Sequence, residues 1–290
     1  MPKKKKIDYS YESIDSGIKD KIITEIETEI KKDNSKFFEE QPPIPIKVEH
    51  WKKEKKKNEK GEYEYKDIPF ADGVKTIINE IFDGKEEISL SRSDVFGESD
   101  TKKKIIKVLM WGYPEATMPW SGKNNIINIT NAIETLSELF GNLAERGINE
   151  IWQIMNGVSG LGIATMSKLL YFFEVSFEGK RCLIYDSNVK SFLNHLEGWV
   201  KESKWDDKCY FKYLGLMNDL MSELKKDPGI RGKIGNLIKE KEEKEKEEKK
   251  IEEKKIEKKI EEKIYEQIEF YMFTKGKALG GGEEKDNEAE

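Results

Sequence analysis

The chain is 290 residues long, 38% charged and 36% hydrophobic, with a formal net charge of −5. That composition predicts a soluble protein with a modest core: no stretch reaches the roughly 18 apolar residues of a membrane span, and the basic start Met1–Lys6 runs into Asp8, Glu12 and Asp15 instead of the apolar run of a secretion signal. Two cysteines, Cys182 and Cys209, are too few for a four-cysteine zinc site or an iron–sulfur cluster, and two histidines, His50 and His195, make no histidine-rich metal site. The compartment these features indicate is the cytoplasm, with both thiols reduced. Chemistry is therefore left to carboxylates, lysines, hydroxyls and bound water.

In chain order, isoleucines at 14, 18, 22, 23, 26 and 30 predict a helix over residues 8–32. Gln41-Pro42-Pro43-Ile44-Pro45 then breaks the chain. Residues 46–51 and 63–68 read as the two strands of a hairpin joined by a polar linker, 52–61. Residues 72–82 read as a helix capped by Asp72. A helix over 101–111 ends at Gly112-Tyr113-Pro114, which leaves Trp111 to Pro114 as a loop. Residues 125–146 read as one long amphipathic helix, with Ile129, Ile133, Leu136, Leu139, Phe140 and Leu143 on one side and Gly147 as its stop. Helices over 149–155, 163–173, 187–196 and 207–225 follow.

Residues 239–263 hold eleven lysines, eleven glutamates and three isoleucines, so the charges cancel. Ile256, Ile260, Ile264 and Ile268 recur every four residues. This predicts a long solvated helix with one thin apolar seam; a coiled-coil partner seam is the sharper alternative. Phe270, Tyr271 and Phe273 would dock its end back onto the body. The tail 280–290 is glycine-rich and acidic, and disorder is expected there. The expected organisation is an N-terminal α+β region over 1–98 with a β-hairpin, a helical core over 99–230, the charged helix over 231–279, and the tail.

The centre of the sequence is Val158-Ser159-Gly160-Leu161-Gly162 between two helices. Gly160 and Gly162 allow a tight turn with positive φ and no side chains in the way. The second helix starts at once, so its free amides and its dipole form an anion site that a DNA phosphate would fit. A plain packing turn between two helices is the alternative. Capture by amides does not need a basic domain, and residues 101–200 carry ten Lys and Arg against nine Asp and Glu. Lys102, Lys103, Lys104, Lys123 and Lys190 could still line one face, with a shallow salt dependence expected. Downstream, Leu183-Ile184-Tyr185-Asp186-Ser187-Asn188-Val189-Lys190 ends a short apolar run at an acid just before a helix. Asp186 is either an ordinary N-cap or a carboxylate held for chemistry.

Together these elements resemble the helix-hairpin-helix DNA glycosylase superfamily, most clearly its bacterial members with an 8-oxoguanine glycosylase fold. V-S-G-L-G stands where the superfamily usually has L-P-G-V-G, and Y-D-S-N-V-K is similar to its D-G-N-V-K pattern. Met166 departs from the small alanine usual between the hairpin helices. The likeness spans about residues 101–224. It implies a mainly α fold that binds double-stranded DNA, with phosphate held at Gly160, Leu161, Gly162, Ala164 and Lys190. It also implies that Asp186 is the catalytic carboxylate, stabilising an oxocarbenium ion or activating water. Bifunctional members carry a Schiff-base lysine two residues past the second hairpin glycine. Ala164 stands there, which implies a monofunctional enzyme using water; Lys168, one turn further, is the alternative nucleophile. Trp111, Tyr113 and Trp120 are the candidates for the base pocket or wedge that flipping requires. No cofactor is required, a K+ or Na+ ion at the hairpin is the optional one, and no iron–sulfur cluster is expected. The protein is expected to act as a monomer, in repair of its own DNA or in defence against modified phage DNA. A helix-hairpin-helix module that binds DNA or a partner without catalysis is the alternative of a different class.

Overall fold

The computed structural model describes residues 16–31, 41–57, 63–118, 123–177, 179–195, 207–232 and 253–279. They are mainly helical, with three two-stranded antiparallel pairs among them. They fall into two compact units: Gln41–Cys182, and a discontinuous unit of Met1–Glu40 with Leu183–Glu290.

In the unit Gln41–Cys182, strand β1 (Ile44–Lys47) pairs with β4 (Glu87–Leu90), and helix α1 (Val48–Lys52) follows β1 directly. The hairpin is β2 (Lys53–Lys57) with β3 (Tyr63–Asp67). The strand expected over 46–51 is thus divided, and the hairpin begins in what reads as linker. Burial explains the difference. Ile46 and Trp51 are both fully buried, yet five residues apart on one strand they would face opposite sides. The helical turn brings both inward, and the Trp51 indole N–H donates to the Pro114 carbonyl at 3.2 Å. The hairpin register sets Lys53 opposite Asp67 and Glu54 opposite Lys66, opposite charges that favour this pairing over a slip.

Helix α2 (Asp72–Phe82) buries Val74, Ile78 and Phe82, one face at a spacing of four. Its cap is Ala71, with Asp72 in the first turn, where the carboxylate favours the helix dipole and pairs with Lys75. Helix α3 (Arg92–Phe96) starts with a Ser91–Asp94 capping box. The central element is α4 (Thr101–Gly112), capped by the Asp100 carboxylate, which accepts from the Lys103 N–H at 2.8 Å. Ile105, Ile106, Val108, Leu109 and Met110 are fully buried on it. Helices α2 and α3 pack directly against α4, so the expected boundary at 98/99 lies inside this unit.

The single helix expected over 125–146 is two, α5 (Asn124–Asn131) and α6 (Ile133–Gly141), with a 3-10 turn at Leu143–Glu145. Ala132 leaves helical geometry at φ −92 and ψ 15, and the Thr130 hydroxyl donates back to the Ile127 carbonyl, competing with the helix ladder. Helices α7 (Ile148–Asn156) and α8 (Ile163–Phe172) flank the glycine turn, and a short pair, β5 (Ser176–Phe177) and β6 (Lys180–Arg181), follows.

The second unit contains α9 (Ser187–His195), α10 (Asp207–Leu224), α11 (Glu253–Ala278) and the N-terminal helix Ser16–Lys31. Helix α11 lies along α9 and also contacts α10, which packs on the N-terminal helix. Ile260, Ile264, Ile268 and Met272 are buried on α11, and the Tyr271 hydroxyl donates to Glu25 at 2.9 Å. Residues 183–230 therefore share a unit with α11, whereas the sequence placed them with the hairpin core. None of the described helices is long and apolar enough to cross a membrane. The tail 280–290 lies outside the described residues.

Candidate active site

Gly157 ends α7, donating to the Gln153 and Ile154 carbonyls. The turn then closes on itself: Leu161 N–H bonds the Val158 carbonyl at 3.2 Å, and Gly162 N–H bonds Gly160 at 3.1 Å. Val158 and Leu161 are buried and fix the turn to the core. The two glycines prove to have different roles. Gly160 has φ +81, and a Cβ there would lie 2.8 Å from Asn125 Oδ1 and 2.9 Å from Asn125 Cα. Both backbone conformation and close approach require glycine at 160. Gly162 has an ordinary φ of −78, is exposed, and a Cβ there would meet nothing within 4 Å. Positive φ is thus a property of Gly160 alone.

Gly162 caps α8 without any side-chain cap. Its carbonyl accepts from the Thr165 and Met166 amides, at 3.0 and 2.9 Å. The Ile163 and Ala164 N–H groups precede these, so they have no intrahelical acceptor and project from the helix start. Ala164 is half-buried there, and Ser159 is exposed at the apex.

One turn into α8, Lys168 is buried, at 5% exposure. Its Nζ lies 5.5 Å from the centre of the Tyr113 ring and donates to the Ala164 carbonyl at 3.5 Å. Gly112 makes room for it: a Cβ at 112 would come within 2.9 Å of Lys168 Cδ. The Tyr113 hydroxyl pairs with the Thr165 hydroxyl at 2.7 Å. Tyr113, Thr165 and Lys168 thus form one cluster beside the start of α8. Trp111 is not in a loop: it occupies the last turn of α4, 6% exposed, packed edge-on to Phe172 at 5.2 Å with the Arg92 guanidinium over its face. Its ring is core. Trp120 lies outside the described residues.

In the second unit, Asp186 is buried, at 9% exposure, and caps α9: Oδ1 accepts from the Asn188 and Val189 amides at 3.1 and 3.2 Å. Lys190, in the first turn of α9, is equally buried instead of standing on an open face. Sequence reading missed Glu269 of α11. It is 1% exposed, and its carboxylate accepts from the Ile184 N–H at 3.4 Å. The only signal was an acid inside the run Ile268 to Phe273, otherwise apolar.

The lysines of α4 do not form a free basic face. Lys102 pairs with Glu134, Lys103 with Glu80 and Lys107 with Glu98, at 2.6–2.7 Å. Lys104 donates to the Phe96 carbonyl and covers the Phe173 ring, and burial lowers its pKa. Lys123 donates to the His50 and Lys53 carbonyls, and burial lowers its pKa too. Among the described residues no cluster of three or more His, Cys, Asp or Glu side chains could hold a metal ion. The turn itself offers the neutral carbonyl oxygens of Ser159 and Leu161, which accept no backbone hydrogen bond in the turn and suit a hard monovalent cation more than a transition metal.

Two helices joined by a self-closed glycine turn, in a mainly helical chain with a capping acid downstream, define a helix-hairpin-helix protein. Residues 39–232, about two thirds of the chain, match the family described as "Putative 8-oxoguanine DNA glycosylase OGG-like protein", and the chain belongs to this family. No curated protein and no solved structure matches it. The matched segment includes the hairpin, Lys168 and Asp186, and stops before α11.

Proposed function

We propose that this protein is a monofunctional DNA glycosylase that acts, as a monomer, on 8-oxoguanine in duplex DNA. One observation carries the DNA-binding half of this reading. Gly162 has no conformational need to be glycine and no protein neighbour to avoid, yet it stands where a helix opens with uncapped amides. A phosphate approaching the Ile163 and Ala164 N–H groups supplies the missing reason, since a methyl group at 162 would crowd it. A monovalent cation held by the Ser159 and Leu161 carbonyls would add positive charge beside that phosphate. With Lys102, Lys103 and Lys107 of α4 paired internally, these lysines release few counterions, and a shallow salt dependence of binding is expected.

For the chemistry, the target nucleotide leaves the stack and its base enters the enzyme. The C1′–N bond breaks, the base leaves with the electron pair and takes up a proton, and the sugar becomes an oxocarbenium ion. The Asp186 carboxylate stabilises that cation and accepts a proton from the water that adds to C1′, leaving an abasic site. Its hydrogen bonds to the Asn188 and Val189 amides fix the carboxylate at the start of α9, where it is held in place for the sugar. Ala164 has no amine with which to form a Schiff base. Among the described residues Tyr113, beside Lys168, is the candidate to stack the extruded base, since Trp111 is core.

The family description favours the oxidised purine. The test is incubation with duplexes carrying 8-oxoguanine, uracil, alkylated purines or hypermodified phage cytosines, with and without alkali. Cuts at 8-oxoguanine only after alkali support the proposal. Cuts without alkali, trapped by borohydride, assign a lyase step to Lys168. Excision confined to the phage bases moves the role to defence. The capping role of Asp186 favours one second reading, a binding module in which the acid does nothing more; duplex binding with no cleavage of any substrate supports that reading instead.

A further inference from the structure

Helix α11 lies outside the family-matched segment, and its lysine–glutamate sequence looks like a solvated rod. Three contacts tie it, or its neighbour α10, to the few residues around Asp186. The Tyr210 hydroxyl of α10 donates to the Leu183 carbonyl at 3.1 Å. The buried Glu269 carboxylate of α11 accepts from the Ile184 N–H, two residues before Asp186. Gly276 of α11 presses on Asn188: a Cβ at 276 would lie 1.7 Å from the Asn188 carbonyl oxygen and 2.6 Å from its carbon. Asn188 is also the residue whose amide caps onto Asp186 Oδ1 at 3.1 Å. The segment that carries the acid is thus held at its entry by Glu269 and at its exit by Gly276.

We infer that α11 is a positioning element for Asp186, with Glu269 and Gly276 as the positioning residues. This rests on the reading of Asp186 as the catalytic carboxylate. A solvated helix has no use for a fully buried carboxylate, whose desolvation is costly unless its hydrogen bonds compensate. Nor does it need a glycine in its last turn, where glycine lowers helix stability, unless another backbone must come that close. Both exceptions on α11 fall against residues 184–188. Any side chain at 276 must push the first turn of α9 away and carry the Asp186 cap with it. A displacement of about 1 Å at a reacting group costs on the order of 100-fold in rate, while phosphate anchoring at the hairpin, in the other unit, is untouched.

The test uses the full-length protein with an 8-oxoguanine duplex in single-turnover excision at saturating enzyme, beside duplex affinity and amide hydrogen exchange. Gly276→Ala is expected to slow excision roughly 10- to 100-fold and to leave duplex Kd within about twofold. It is also expected to speed exchange of the Asn188 and Val189 amides. Glu269→Leu, which removes the acceptor of the Ile184 N–H, is expected to slow excision similarly, and Glu269→Gln, which keeps an oxygen there, to restore most of it. Wild-type excision and unchanged exchange in Gly276→Ala and Glu269→Leu would overturn the inference. The exchange measurement reads α11 positioning whether or not the duplex is cleaved. The companion variant Asp186→Asn separates the two failures: full activity in it sinks the catalytic reading and leaves the α11 contacts to be judged by exchange alone.

Discussion

Gly160 and Gly162 stand two residues apart in one turn, and the structure predicts different consequences when each becomes alanine. At 160, alanine must adopt φ +81, a left-handed conformation costing roughly 1–2 kcal/mol. Its methyl would also sit 2.8–2.9 Å from Asn125 side-chain and backbone atoms, and overpacking of this kind costs roughly 1–3 kcal/mol. Gly160→Ala is therefore expected to lose about 2–5 kcal/mol, read as a lower urea midpoint at constant slope. At 162, φ is −78 and the methyl enters open space, so alanine fits without strain and loses only the better N-cap that glycine makes. Restricting the unfolded chain returns about 0.4–1 kcal/mol, which offsets the poorer cap and keeps stability near wild type. Yet Gly162→Ala places a methyl where the proposed phosphate docks. Loss of one such hydrogen bond, about 1.4 kcal/mol, weakens duplex binding about tenfold by fluorescence anisotropy. A Gly160→Ala protein as stable as wild type would refute the geometric reasoning. A Gly162→Ala protein that binds duplex with undiminished affinity would refute the phosphate site.

Other expectations follow from single contacts. Tyr113→Phe deletes the partner of the Thr165 hydroxyl and should cost about 0.5–1.5 kcal/mol by urea unfolding. Asp186→Ala should cost about 1 kcal/mol through the lost cap, whereas Asp186→Asn, itself a good cap, should hold stability near wild type. For Glu98, burial pushes the pKa up, but the Lys107 hydrogen bond, the Asp100 amide and the nearby lysine charges outweigh it, and the value falls below the ordinary 4.5. A depressed folded-state pKa contributes stability above the unfolded value, and that stability is lost as pH falls through the folded one. Glu98→Gln should therefore flatten the acid limb of stability below pH 4.5 and leave its shape at neutral pH unchanged, as followed by urea midpoints across the range.

The helical core was legible where spacing is unambiguous: Val74, Ile78 and Phe82 fall four apart, and the glycine turn separates two apolar runs. The break at Ala132 was not, because Ile126, Ile129, Ile133 and Leu136 keep helical spacing straight through it. The β-hairpin was readable as a hairpin but not in its bounds. The requirement to bury both Ile46 and Trp51 is tertiary, and it overrides the local strand pattern. Sequence could not separate Gly160 from Gly162, since the difference lies in a backbone angle and in Asn125, 35 positions away. Lys102 and Lys103 looked available for DNA because their partners, Glu134 and Glu80, are remote in the chain. Glu269 was invisible among many glutamates; only burial distinguishes it.

The most direct test of the central claim is single-turnover excision by Asp186→Asn, beside its duplex affinity and thermal unfolding. The account predicts a protein that melts with the wild type and grips DNA equally well, yet releases no base. Wild-type excision by that variant would show that the acid only caps α9.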